Sequence, residues 1–84
     1  MPEIRSQVRE FILQSFLDGA DGAALKDDAS LERTHVVDSA RALELILFLE
    51  ETYGFQVDNE EATPENFDTV DCIVRYVERK LQAG

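Results

Sequence analysis

Val36-Val37-Asp38-Ser39-Ala40-Arg41-Ala42-Leu43-Glu44-Leu45-Ile46-Leu47-Phe48-Leu49-Glu50-Glu51-Thr52-Tyr53-Gly54 is the stretch whose reading decides the fold. It begins as a helix does. Asp38 suits the N-cap, because its carboxylate can accept a free N–H of the first turn, and Ser39 then falls at the first helical position. It also ends as a helix does, because Gly54 can adopt the left-handed conformation that closes one. At helical spacing Ala42, Leu45, Ile46, Leu49 and Tyr53 share one side, which is the predicted core side. Ala40, Leu47 and Phe48 fall largely opposite, among Arg41, Glu44 and Glu51. Leu43 lies at the border, on the flank of Ser39. A helix solvated on its outer side has no need of Leu47 and Phe48 there. A helix gripped by partners does, so the expected partner-binding set is Ala40, Arg41, Leu43, Glu44, Leu47, Phe48 and Glu51.

Upstream, Pro2 and Glu3 suit a helix start, and Ile4, Val8, Phe11, Ile12 and Phe16 line one face of a first helix closing near Gly19. Leu13 and Leu17 lie off that face, either under the following loop or exposed. Asp18 to Ser30 reads as a long loop anchored by Leu25 and Leu31. Asp18-Gly19-Ala20-Asp21-Gly22 is not a calcium loop, since counting back from either glycine puts Gln14 or Leu17 where an EF-hand needs its first aspartate. Downstream, Phe55-Gln56-Val57 has no second strand to pair with and is expected as an extended connection burying Phe55 and Val57. Asp58 with Glu61 predicts a turn. Thr63-Pro64 predicts a short helical turn that drops Phe67 into the core. Asp68 is the expected N-cap of a last helix whose stripe is Val70, Ile73, Val74, Val77 and Leu81, with Arg75, Arg79 and Lys80 toward its end. The expected fold is all-α. It is a small bundle of three main helices plus one short helix, with a long loop after the first, in a single domain spanning 1–84.

Composition narrows the function. A chain of 84 residues buries a modest core, which argues against an internal catalytic cleft. Eighteen acidic against eight basic residues give a net charge of −10, which excludes nucleic-acid binding and favours basic partner surfaces. The single cysteine, Cys72, permits no internal disulfide and no cysteine-based metal cluster, and Asp71 beside it argues against a reactive thiol. No apolar run suggests a membrane span, and Met1 to Arg9 lacks the apolar core of a signal peptide. A cytoplasmic monomer without a bound metal is expected.

Asp38-Ser39 opening an acidic amphipathic helix, with Leu43-Glu44-Leu45 a few residues on, resembles the modification site of carrier proteins. That family includes acyl carrier proteins and the peptidyl (thiolation) carriers of nonribosomal synthesis. The resemblance extends to Ser30-Leu31, Val36-Val37, Phe48 to Gly54, and Pro64-Glu65-Asn66-Phe67-Asp68-Thr69-Val70. It implies a four-helix bundle of acyl-carrier-protein type. It implies that Ser39 receives 4′-phosphopantetheine from coenzyme A, with Asp38 as the acidic residue before it, and that any metal comes with the transferase. The implied partners are a phosphopantetheinyl transferase, an adenylating acyl or aminoacyl ligase, and downstream enzymes that use the cargo thioester. Three positions depart from the family pattern. Ala40 stands where most carriers have Leu or Met, Arg41 where many have an acidic or neutral residue, and His35 where a glycine is frequent.

Val36-Val37-Asp38-Ser39 and Pro64-Glu65-Asn66-Phe67-Asp68 look more like discrete thiolation proteins than fatty-acid carriers, so an aminoacyl or small-acyl cargo is expected. A carrier of fatty-acid or polyketide synthesis is the alternative within the class. An unmodified carrier-fold adaptor is the alternative outside it. A hydrolase triad of His35, Asp38 and Ser39 is rejected. There is no Gly-x-Ser-x-Gly elbow, and the histidine lies just before the serine rather than on a separate element.

Overall fold

The computed structural model describes residues 3–19 and 25–83, with the backbone alone for Ser39, Pro64 and Ala83. Four helices follow one another: α1 (Ile4–Phe16), α2 (Ser39–Tyr53), α3 (Pro64–Phe67) and α4 (Val70–Ala83). They form a small helical bundle with no strand among the described residues. No described helix is long and apolar enough to cross a membrane. Pro2 and the Ala20–Gly22 part of the rejected calcium motif lie outside the described residues.

The core follows the predicted faces. α1 buries Val8, Ile12 and Phe16, α2 buries Leu45 and Leu49, and α4 buries Val70, Ile73, Val74 and Val77. Leu25, Leu31 and Val36 are buried from the connection between α1 and α2, and Phe67 from α3. Leu13 and Leu17 are half-buried against the same core. α4 is the central element, packing against each of the other three helices. Phe55 and Val57 lie in an extended connection, as expected, but are half-buried rather than buried.

Three expectations need correction. Asp68 is not the N-cap of α4. The Thr69 hydroxyl accepts the Cys72 N–H at 3.0 Å, which is the capping bond. The Asp68 carboxylate instead accepts from the Ser30 hydroxyl at 2.8 Å, and the Asp68 carbonyl accepts the Leu31 N–H at 2.6 Å. Asp68 therefore pins the long loop to the α3–α4 junction. Leu81 does not complete the α4 stripe; it stands 44% exposed in the last turn. Tyr76 is buried to 1% instead, its ring tilted against Phe67 at 5.0 Å and edge-on to Phe55 at 6.0 Å. Its hydroxyl donates to Glu61 Oε1 at 3.0 Å, so the burial leaves no polar atom unpaired. Finally, Phe48 is not on an open outer face. Its ring stacks on Phe11 of α1 with centroids 4.1 Å apart, because α1 covers that flank of α2.

Ion pairs fasten the long loop from its other side. Arg5 donates to Asp27 and to Asp71, both at 2.6 Å, and Arg9 donates to Asp27 and to the Leu25 carbonyl. Burial alone would push the Asp27 carboxyl up, but the hydrogen bonds from Arg5 and Arg9 outweigh it and hold it below the usual range.

Candidate functional site

The approach to α2 is a tight turn built around Leu31. The Leu31 carbonyl accepts both the Val36 N–H at 3.0 Å and the Val37 N–H at 3.1 Å. His35 makes this possible by adopting φ 60°, the left-handed region that favours glycine. This is the position where the family resemblance places a glycine. The chain then extends through Asp38 (φ −109°, ψ −170°) and enters the helix at Ser39. The Asp38 carboxylate accepts the Arg41 N–H at 2.9 Å, and the Asp38 carbonyl accepts the Ala42 N–H at 2.8 Å. Asp38 is therefore the N-cap, as the sequence predicts, and Ser39 opens the first turn between two exposed neighbours, Asp38 and Ala40. At the other end Gly54, at φ 77°, returns its N–H to the Glu50 carbonyl at 2.9 Å.

The expected partner-binding residues divide into two groups. Ala40, Leu43, Glu44, Leu47 and Glu51 are exposed, Leu43 to 59% and Leu47 to 49%. Arg41 and Phe48 turn toward α1 instead. The Arg41 guanidinium reaches the carbonyls of Val36 and Phe16, and the Phe48 ring covers Phe11. Glu50 is likewise engaged within the molecule, its carboxylate accepting the Val57 N–H at 2.9 Å.

Beside the first turn lies an open groove of about 890 Å³ that sequence reading did not anticipate. Its apolar lining comes from Leu31, Val37, Ala42, Ile46 and Phe67, and its polar lining includes Ser30, Glu32, Arg33, His35, Asp38, Thr63 and Asp68. The one available signal is the small side chain of Ala42, one turn before Ile46 on the core side of α2, which leaves room that a larger residue would fill.

The Asp38 Oδ1 that accepts the Arg41 N–H is committed to the helix cap. No group of three or more His, Cys, Asp or Glu placed to hold a metal ion occurs among the described residues. Two groups with displaced pKa values meet where α4 packs on the connection between α2 and α3. Lys80 and Tyr76 hold the Glu61 carboxyl down by hydrogen bonding, while burial and the Glu61 carboxylate push the Tyr76 hydroxyl up. A scan of the sequence against protein-family models found no match.

Proposed function

We propose that this chain is a carrier protein of the acyl or peptidyl carrier kind, modified with 4′-phosphopantetheine on Ser39. The observation that carries the reading is the Asp38 cap. Asp38 already caps the first turn, so the carrier reading asks no capping bond of Ser39. The surroundings suit the group. A phosphodiester on the first helical residue lies near the positive end of the α2 dipole and its free N–H groups. The adjoining groove, with its apolar lining, offers a surface for the arm or a short cargo beside it. In the attachment step the Ser39 oxygen bonds to the phosphorus that bears the pantetheine arm of coenzyme A. The pyrophosphate P–O bond breaks, 3′,5′-adenosine bisphosphate leaves, and the hydroxyl proton passes to a base of the transferase. The arm supplies a terminal thiol that carries an acyl or aminoacyl group as a thioester.

The chain's own contribution is presentation and docking. Leu43 and Leu47 project from α2 beside Glu44 and Glu51, an apolar centre with an acidic rim. Together with the net charge of −10, this favours basic partner surfaces: the transferase, an adenylating ligase and the enzymes that consume the cargo. An aminoacyl or small acyl cargo is the preferred reading, and nothing in the reading requires catalysis by the chain itself.

The test is direct. Incubated with coenzyme A, magnesium and a broad-specificity phosphopantetheinyl transferase, the protein gains the mass of one arm, and Ser39→Ala gains none. A folded wild-type protein that gains nothing with several transferases is the adaptor instead.

A further inference from the structure

Arg41 is tied at both ends. Its backbone N–H donates to the Asp38 carboxylate at 2.9 Å. Its guanidinium Nη1 donates to the Val36 carbonyl at 3.0 Å and lies 3.5 Å from the Phe16 carbonyl, with the guanidinium carbon 5.5 Å from the centre of the Phe16 ring. Phe16 is the last residue of α1, so its carbonyl is among those a helix leaves without an internal partner. α1 has no basic residue in its own last turn, and Arg41 brings from α2 the cation that this negative helix end favours. The ring contact adds a cation–π attraction on the same residue. Val36, the other acceptor, is buried and stands three residues before Ser39. The side-chain bond to Val36 and the backbone bond to Asp38 thus close a short ring of chain, 36–41, and Ser39 lies within it.

We propose that Arg41 is a positioning residue for Ser39, anchoring the first turn of α2 to the end of α1 so that the transferase meets the serine in one fixed place. The inference rests on the carrier reading above. It replaces a contact with the partner enzyme, which is the role the outward-facing charge pattern suggests for Arg41, with an internal one.

The two roles separate in kinetics. Arg41→Met keeps much of the side chain's packing and removes the donors and the charge; Arg41→Lys keeps a cationic donor on a shorter stem. Each is compared with wild type at a temperature where circular dichroism shows all three folded. Attachment rate is followed by mass gain against carrier concentration, and amide hydrogen exchange is measured on the unmodified proteins. For Arg41→Met, kcat falls about tenfold while KM stays within about twofold, because a displaced nucleophile reacts slowly once bound. Arg41→Lys recovers part of that loss. In Arg41→Met the Arg41-position and Ala42 amides exchange about tenfold faster, and those of Ile73 and Val77 in α4 do not change.

A rise in KM with kcat retained makes Arg41 an enzyme contact and overturns the inference. Wild-type kinetics in Arg41→Met overturns it too, as does faster exchange throughout α4, which signals a general loss of stability. A wild-type protein that gains no arm overturns the carrier reading and with it any role for Arg41 in transfer. Unchanged transfer in Arg41→Met overturns this inference alone.

Discussion

Leu45 and Leu47 lie two residues apart on α2, and the same truncation at each distinguishes the core side of that helix from its outer side. Leu45 is fully buried, whereas Leu47 is 49% exposed. Leu45→Ala removes packed atoms and leaves a cavity, at a cost of roughly 2–5 kcal/mol. The loss at Leu47 is smaller. Three carbons at about 0.8 kcal/mol each make roughly 2.4 kcal/mol for a leucine that is fully buried, so half-burial leaves about 1 kcal/mol, less the slight helix preference for alanine. Domains of this size have a total stability of roughly 4–12 kcal/mol, so Leu45→Ala removes a large fraction of it and Leu47→Ala a small one. Urea titration followed by helical circular dichroism measures both, with equal m-values confirming a common unfolding reaction. In thermal scans Leu45→Ala lowers the transition by about 10 °C or more and Leu47→Ala by only a few degrees. Because Leu47→Ala remains folded, its rate of arm attachment or cargo loading then tests the proposed docking surface, where loss of packing raises the dissociation rate. Equal losses of stability at the two sites would refute the assignment of α2's sides, and an unchanged loading rate would remove Leu47 from the docking surface.

Two further expectations concern the segments that hold the site. The folded state keeps the Asp27 carboxyl below its ordinary value of 3.8, so the unfolded chain binds that proton more readily. The stability from this group is therefore present above about pH 4 and is lost as pH falls through the lower folded value. The wild-type urea midpoint should drop more between pH 6 and pH 3 than that of Asp27→Asn, and equal drops would show that the Arg5–Asp27–Arg9 contact is not coupled to folding. His35 occupies the left-handed region at φ 60°, a conformation that costs a side-chain-bearing residue about 1–2 kcal/mol. His35→Gly relieves that cost and loses part of the gain to a more flexible unfolded chain, for a net stabilisation of about 0.5 kcal/mol. A lower melting temperature would mean that the imidazole makes a stabilising contact.

What the sequence made legible was local. The Asp38 cap, the Gly54 close and the buried faces of α1 and α2 follow from residues within a few positions of one another, and the structure has each of them. Where the reading failed, a distant partner decided. Asp68 and Thr69 are both good capping residues, and Ser30, 38 positions away, takes the first and leaves the second to cap α4. Tyr76 is buried because Glu61 satisfies its hydroxyl across 15 positions, a pairing that helical periodicity does not encode. The same cause sets the width of the outer face of α2. A helical wheel divides that helix into a core side and a free side, but α1 lies along one flank and takes Phe48 against Phe11 and Arg41 against Phe16. Of the residues left exposed on α2, Ala40, Leu43, Glu44, Leu47 and Glu51 share one strip at helical spacing, while Thr52, in the last turn, stands apart from it. The strip begins beside Ser39, with Leu43 on the same flank as the serine. A partner seated on it reaches the serine without disturbing the contacts of α2 with α1. In the proposed carrier, recognition by that route would rest on two leucines and two glutamates, with Arg41 bonded to the end of α1 on the other flank.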